Sequence, residues 1–221
     1  MSVILDGVWA VGGAELSHAS DAAIYLVQGS EHAVLIDAGT GRGSAGVCRN
    51  IAAAGIPLER VRQLVLTHCH VDHAAGVPSL REVMELEVLA HSACAEILAP
   101  GGDPRTAADW YDMTMPPVHV NRSFAGRQLR LPIGDRELVL HPWLGHSPGS
   151  IVATLDLGGQ RVLFGQDVHG PIHPQLASDH AAWQRSLRRL LELEADVLCE
   201  GHYGVIRGRR AVARFIERFI Q

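Results

Sequence analysis

The sequence predicts an α+β fold, an αββα four-layer sandwich with two sheets packed face to face and helices outside. Three observations predict it. The N-terminal half reads as short β-branched runs separated by tight turns and closed by helix. A second series of strands begins near residue 138 and is closed by two more helices. In both halves candidate metal ligands stand at the ends of strands, beside glycines. With 221 residues, 23.8 kDa and 47% hydrophobic content, one domain over 1–221 is expected.

The elements follow in order. Ala22 to Val27 and His32 to Asp37 read as paired strands around Gln28-Gly29-Ser30-Glu31. A helix is expected from Ser44 to Ala54, stopped by Gly55. The apolar run over 62–67 reads as a buried strand. A helix near Pro78 to Met84 and a strand at Val88-Leu89-Ala90 come next. Residues 99–126 differ: Pro/Gly-rich ends enclose a short helical piece with Trp110, Tyr111 and Met113. This segment reads equally as a lid over a site, with Trp110, Tyr111 and Met115 selecting substrate, or as a crossover packed for stability. Strands at Leu138-Val139-Leu140, 151–155 and 161–164 follow, with Gly158-Gly159 as a hairpin turn. A short strand at Val197-Leu198 lies between helices at about 180–194 and 209–220.

The chemistry concentrates in His68-Cys69-His70-Val71-Asp72-His73. Four of these six residues can bind a divalent ion. On an extended chain, residues two apart point the same way, so His68 and His70 can face one ion. Asp72 and His73 follow at the turn and can face a second ion beside it. The same alternation turns Cys69 away, as a buried thiol. Three later segments add His146 in a Gly/Pro-rich turn, Asp167 after the strand 161–164, and His202 in Cys199-Glu200-Gly201-His202. Imidazole and carboxylate donors suit zinc, iron or manganese. A structural zinc site, four-coordinate and cysteine-rich, fits this set poorly. Asp37 reads either as a hydrogen-bond partner of a ligand imidazole or as a turn cap. His169 follows Asp167 closely enough to contact substrate. His18, His32, His119, His141 and His180 have no patterned company and read as ordinary histidines.

The order H-x-H-x-D-H, then distant H, D and H, resembles the metallo-β-lactamase-fold superfamily over almost the whole chain. The resemblance implies that His68, His70 and His146 hold one metal, that Asp72, His73 and His202 hold a second, and that Asp167 bridges them. Two divalent ions follow as cofactors, zinc first, with iron or manganese as alternatives. The implied activity is hydrolysis by a metal-bridging hydroxide, with Asp72 and Asp167 as the catalytic carboxylates. Gly145-His146-Ser147-Pro148-Gly149-Ser150 is similar to the turn of the glyoxalase II-like branch, whose members cleave thioesters such as hydroxyacylglutathione. That branch's G-R-x-D-x segment is replaced here by Gly170-Pro171-Ile172-His173-Pro174, which counts against glutathione specificity.

The expected function is therefore a metal-dependent hydrolase of a thioester, ester or lactone. Thr67 to His73 also resembles the T-H-C-H-A-D-H of persulfide dioxygenases, which implies mononuclear iron on His68, His146 and Asp167. Phosphoester hydrolysis is a third reading. A net charge of −5 argues against nucleic acid, and no apolar run reaches the roughly 18 residues of a membrane span. The first residues lack a basic, apolar leader, and the cysteines show no C-x-x-C spacing, so a cytoplasmic enzyme of a small-molecule substrate is expected, with room for a homodimer.

Overall fold

The computed structural model describes residues 1–221. Its elements are β1 (Ser2–Leu5), β2 (Val8–Gly12), β3 (Ile24–Gln28), β4 (Ala33–Ile36), α1 (Ser44–Ala53), β5 (Val61–Val65), α2 (Val71–Ala74), α3 (Val77–Arg81), β6 (Glu87–His91), α4 (Ser92–Leu98) and β7 (Arg122–Phe124) in the first half. The second half holds β8 (Leu129–Pro132), β9 (Glu137–Pro142), β10 (Ile151–Leu157), β11 (Gln160–Gln166), α5 (His180–Glu192), β12 (Val197–Glu200), β13 (Gly204–Arg207) and α6 (Arg209–Glu217). The first sheet has seven strands in sequence order, β1 to β7. The second has six, in the order β13-β12-β11-β10-β9-β8.

Period-two alternation divides the strand side chains between three apolar interfaces, and these make the four layers. Val65 of β5, with Tyr25 and Ile36, meets Leu140, Ile151, Ala153 and Phe164 between the sheets. Its neighbour Leu64 turns the other way and packs with Val47, Ile51, Leu80 and Ile97 of the first helical layer. Val152 of β10 likewise turns outward onto Trp183, Leu187, Val212 and Phe215 of the second. Helix α5 can cover that face because Trp183, Leu187 and Leu190 recur at i, i+4 and i+7. Asp179 caps its start by accepting the amide of Ala182 at 2.9 Å.

Topology brings seven strand termini to one edge. In the first sheet β4, β5 and β6 run parallel, so their C-terminal ends lie together. In the second, β11 and β12 are parallel, while β10 is antiparallel to β9 and β11. The ends of β9, β11 and β12 and the start of β10 therefore share a side. Two backbone bonds stitch the two edges, Ile151 N to Thr67 O at 2.8 Å and Ala23 N to Gly201 O at 2.8 Å, and a third, Ala22 N to Asp72 O at 3.2 Å, ties the start of β3 to α2 on the first sheet's side. Gly158 and Gly159 turn the β10–β11 hairpin with φ of +58° and +77°, the left-handed pair that a two-residue turn needs.

Some elements differ from expectation. Asp72 and His73 lie on the one-turn helix α2 rather than in an open turn. The helix expected to Met84 ends at Arg81. The last helix, expected over 209–220, runs from Arg209 to Glu217 directly after β13. Within 99–126 the chain makes 3-10 turns at Pro104–Thr106 and Ala108–Tyr111, then strand β7. No helix is long and apolar enough to cross a membrane.

Candidate metal centre

The stitched edge gathers all seven candidate ligands. His68, His70, His146 and Asp167 each offer a donor atom within 4.8 Å of one another, and so do Asp72, His73 and His202. His68 Nε2, His70 Nδ1 and His146 Nε2 form a triangle with sides of 2.9, 3.1 and 3.3 Å. A tetrahedral ion with bonds of roughly 2.0–2.1 Å holds its nitrogens about 3.3 Å apart, so this triangle fits one. Asp72 Oδ2 stands 3.3 Å from His202 Nε2 and 3.9 Å from His73 Nε2. Asp167 faces both groups: Oδ2 lies 3.5 Å from His146 Nε2 and 3.4 Å from His202 Nε2, and Oδ1 lies 3.2 Å from His73 Nε2.

Local structure explains these positions. The β11–β12 register shifts between Phe164 and Gln166, a bulge that re-aims the strand end just before Asp167. Gly201 is required beside it, because a Cβ there would stand 2.2 Å from Asp167 Oδ1.

The hydrogen bonds behind the cluster assign its tautomers. Asp37 accepts the amide and hydroxyl of Thr67 and faces His73 Nδ1 at 2.7 Å. Thr67 Oγ1, having donated to Asp37, accepts from His68 Nδ1 at 3.0 Å. His146 Nδ1 donates to Pro171 O at 3.1 Å. His68 and His146 thus turn the lone pair of Nε2 toward the cluster, and His73, held through Nδ1 by Asp37, points its Nε2 the same way. Of the two alternatives for Asp37, the imidazole partner is the one the geometry contains.

Electrostatics favour a cation. Burial, with the neighbouring histidines, holds His68 well below its usual value; burial takes His70 down to about 3 and His146 to about 4. These three are neutral donors at neutral pH. Burial alone would raise the carboxyls of Asp72 and Asp167, but the facing imidazoles of His73 and His202 outweigh it and keep both ionised. The same carboxylates outweigh burial at His202 and lift it to about 10, and with Asp37 they raise His73 well above its usual value. Buried carboxylates at Asp37, Asp72 and Asp167 call for compensating positive charge. His73 Nε2 and Asp167 Oδ1 are buried without a hydrogen-bond partner. The donor set therefore fits divalent metal.

Asp37→Asn tests the support behind the cluster. Asp37 has a φ of +65°, which Asn tolerates, so the change isolates the carboxylate. The amide cannot accept from both Thr67 and His73 without turning an N–H toward one of them. Metal affinity is expected to fall roughly 10–100-fold in a competition titration with a chromogenic chelator; unchanged affinity would make Asp37 a turn residue only.

The remaining expected site residues divide. Trp110, Tyr111 and His169 line a cleft of about 240 Å³ together with His70, Asp72, Asp167 and His202. Tyr111 donates its hydroxyl to Asp72 Oδ2 at 2.8 Å. Trp110 is tied across the cleft by its indole to Gln175 Oε1 at 3.1 Å. Met115 does not reach the cleft: it is 1% exposed and packs in the first helical layer, where its apolar thioether is better buried. Cys69 is fully buried, its thiol pushed up to about 12 by burial. Glu200 is a residue the sequence reading passed over. Its carboxylate, fully buried, faces His169 Nδ1 at 2.8 Å and accepts the amides of His202 and Tyr203 at 2.8 and 3.0 Å. Its place two residues before His202 was the available signal.

Residues 20–202 match the sequence model described as the Metallo-beta-lactamase superfamily. The chain is 31% identical over 217 residues to the acyl-coenzyme A thioesterase MBLAC2 of Gallus gallus, covering 85% of this chain and 74% of that one. It is 30% identical over 185 residues to the Bos taurus protein of the same name, covering 74% of this chain and spanning 63% of that relative's length. Among solved structures, a motif mutant of a metallo-beta-lactamase from Cronobacter sakazakii superposes with a TM-score of 0.81 at 23% identity, over 98% of this chain and 92% of that one. That last likeness is one of fold.

Proposed function

Because this chain belongs to the metallo-beta-lactamase superfamily, we propose that it is a dinuclear metallo-hydrolase that cleaves an acyl thioester. The observation that carries the reading is the position of Asp167 between two donor groups, the imidazole triangle on one side and Asp72, His73 and His202 on the other. His68, His70 and His146 would hold one ion, Asp72, His73 and His202 a second, and Asp167 both, with zinc the metal expected first. When bound, two such ions supply Lewis acidity for a carbonyl oxygen and bring the pKa of water towards ~7. Thioester as the substrate class is supported by the relatives, which are named acyl-coenzyme A thioesterases.

The chain's own side chains account for the rest of the cleft. Burial, with the charge of Asp72, raises the Tyr111 phenol, so it stays a hydroxyl and donates to Asp72 Oδ2. Trp110 and Tyr111 form one wall and limit water. Glu200 fixes the His169 ring beside His202, the ring centroids 5.2 Å apart. Thiolate is a good leaving group, so cleavage asks little of a protein acid. The 104–111 segment serves as a roof in this reading, tied down by Gln175 through Trp110 and Asp109.

The test is a substrate panel with metal-loaded protein: acyl-coenzyme A, an acylglutathione, a lactone and a phosphodiester. Preference for a thioester by kcat/KM is the expected result; preference for the lactone or phosphodiester would overturn the substrate class. The mononuclear-iron reading uses only His68, His146 and Asp167, and gives Asp72, His73 and His202 no role. One iron per chain with oxygen uptake on a persulfide would establish it instead.

A further inference from the structure

The cleft at the metal-ligand cluster encloses about 240 Å³, below the roughly 300–1,000 Å³ of sites that hold a whole small-molecule ligand. A thioester carbonyl fits there, but the rest of a large substrate must lie elsewhere. One neighbouring cavity, of about 400 Å³, meets the cleft at Tyr111 and His202. It is lined by Glu15 and Asp21 and by no arginine or lysine, so it disfavours an anionic group.

The turn that carries His146 also forms one wall of a groove of about 710 Å³. Arg127, Arg185 and Arg189 line this groove, and no carboxylate does. The three come from two separate regions, the β7–β8 connection and α5. None forms an ion pair or a side-chain hydrogen bond within the chain, although the net charge is −5. Arg185 and Arg189 stand four apart on one helix, a spacing that like charges disfavour unless an anion lies between them. Arg189 is held in place over the Trp143 ring, 4.7 Å from its centroid. Leu144, 48% exposed, adds an apolar surface.

The groove is hydrogen-bonded to the segment that leads into His146. Trp143 Nε1 donates to Ser186 O at 2.9 Å, and Ser186 Oγ donates to Leu144 O at 2.8 Å. Leu144 lies two residues from His146, at most ~7.6 Å of extended chain. A phosphorylated group seated on the arginines would thus be anchored near the cleft while a flexible arm carried the reacting bond into it.

We propose that this groove binds the phosphate groups of a nucleotide-bearing thiol, so that the leaving group of a coenzyme A-type thioester lies across Arg127, Arg185 and Arg189. The assignment deepens the thioesterase reading and rests on it. Guanidinium forks match phosphate oxygens in geometry and charge, and charge-assisted bonds of this kind are the strong ones.

The experiment uses full-length, metal-loaded protein and two variants on different elements, Arg185→Glu and Arg127→Glu. Binding of adenosine 3′,5′-bisphosphate is measured by calorimetry, and turnover is compared for acyl-coenzyme A and the same acyl thioester of pantetheine, which carries no phosphate. Each variant is expected to weaken bisphosphate binding by about tenfold or more. KM for acyl-coenzyme A rises by a similar factor while kcat changes little, and the preference over the pantetheine thioester is lost. Equal bisphosphate affinity and an equal preference in wild type and both variants would overturn the groove, as would inorganic phosphate binding as tightly as the bisphosphate. If wild type cleaves neither thioester, the thioesterase reading fails separately. Calorimetry still decides the groove: bisphosphate bound by wild type and lost in the variants keeps the phosphate site, and no binding by wild type removes it.

Discussion

Asp72→Ala is expected to cut thioester hydrolysis by a factor on the order of 10²–10⁴ and to lower metal content from about two ions per chain to about one. Asp72 is 3% exposed, and its Oδ2 is the atom on which His202 Nε2 and the Tyr111 hydroxyl converge, at 3.3 and 2.8 Å. Truncation removes one of the three donors of the second group and frees the phenol of Tyr111. It leaves the imidazole triangle intact, since none of His68, His70 and His146 leans on Asp72 through a hydrogen bond. The backbone link from Ala22 N to Asp72 O also survives the change, so circular dichroism should match wild type. Near-normal turnover with one ion bound would show that the second group is dispensable and would favour mononuclear iron chemistry.

Removing metal is expected to abolish turnover and to lower the thermal midpoint by something on the order of 10 °C. An ion present at a thousand times its Kd stabilises the native state by about 4 kcal/mol, and a chain of this length shifts by roughly 2–4 °C per kcal/mol. The direction follows from the charge at the site. Three buried carboxylates, Asp37, Asp72 and Asp167, lie among histidines of which three stay neutral at neutral pH. Dialysis against a chelator, followed by scanning calorimetry and then by re-addition of zinc, manganese or iron, reads both effects. A midpoint and turnover that survive stripping would mean the cluster does not work through metal.

The candidate site was legible in the sequence to an unusual depth because its donors are local in a useful sense. Each sits just past a strand end, and strand ends can be found from β-branched runs and glycines. His68 and His70 fall two apart on extended chain, so their common direction needs no tertiary information. Asp37 was visible as a candidate but not as a partner of His73, because the two are 36 residues apart in sequence. Glu200 was overlooked because a carboxylate beside a ligand histidine is ordinary until its complete burial is known. Met115 was misplaced for the converse reason: an apolar residue in a loop reads the same whether it faces a cleft or the core.

The fold was legible in its layers and less so at its margins. Long buried runs such as 151–157 and 160–166 announce themselves, and the Gly158-Gly159 turn fixes their pairing. Strands β1 and β7 did not, because residues such as Ser2, Val3, Arg122 and Ser123 are exposed at sheet edges and carry little hydrophobic pattern. By itself, then, the sequence determined the two-sheet sandwich, the kinds of donor atom and the strand ends that carry them, since these depend on residue type and on spacings of a few residues. Tertiary structure alone decided which atoms meet: the tautomers set by Thr67, Asp37 and Pro171, the phenol of Tyr111 on a carboxylate 39 residues away, and three arginines from two distant segments in one groove. Those contacts depend on how two twisted sheets and their helices pack, and packing is a property of the whole chain.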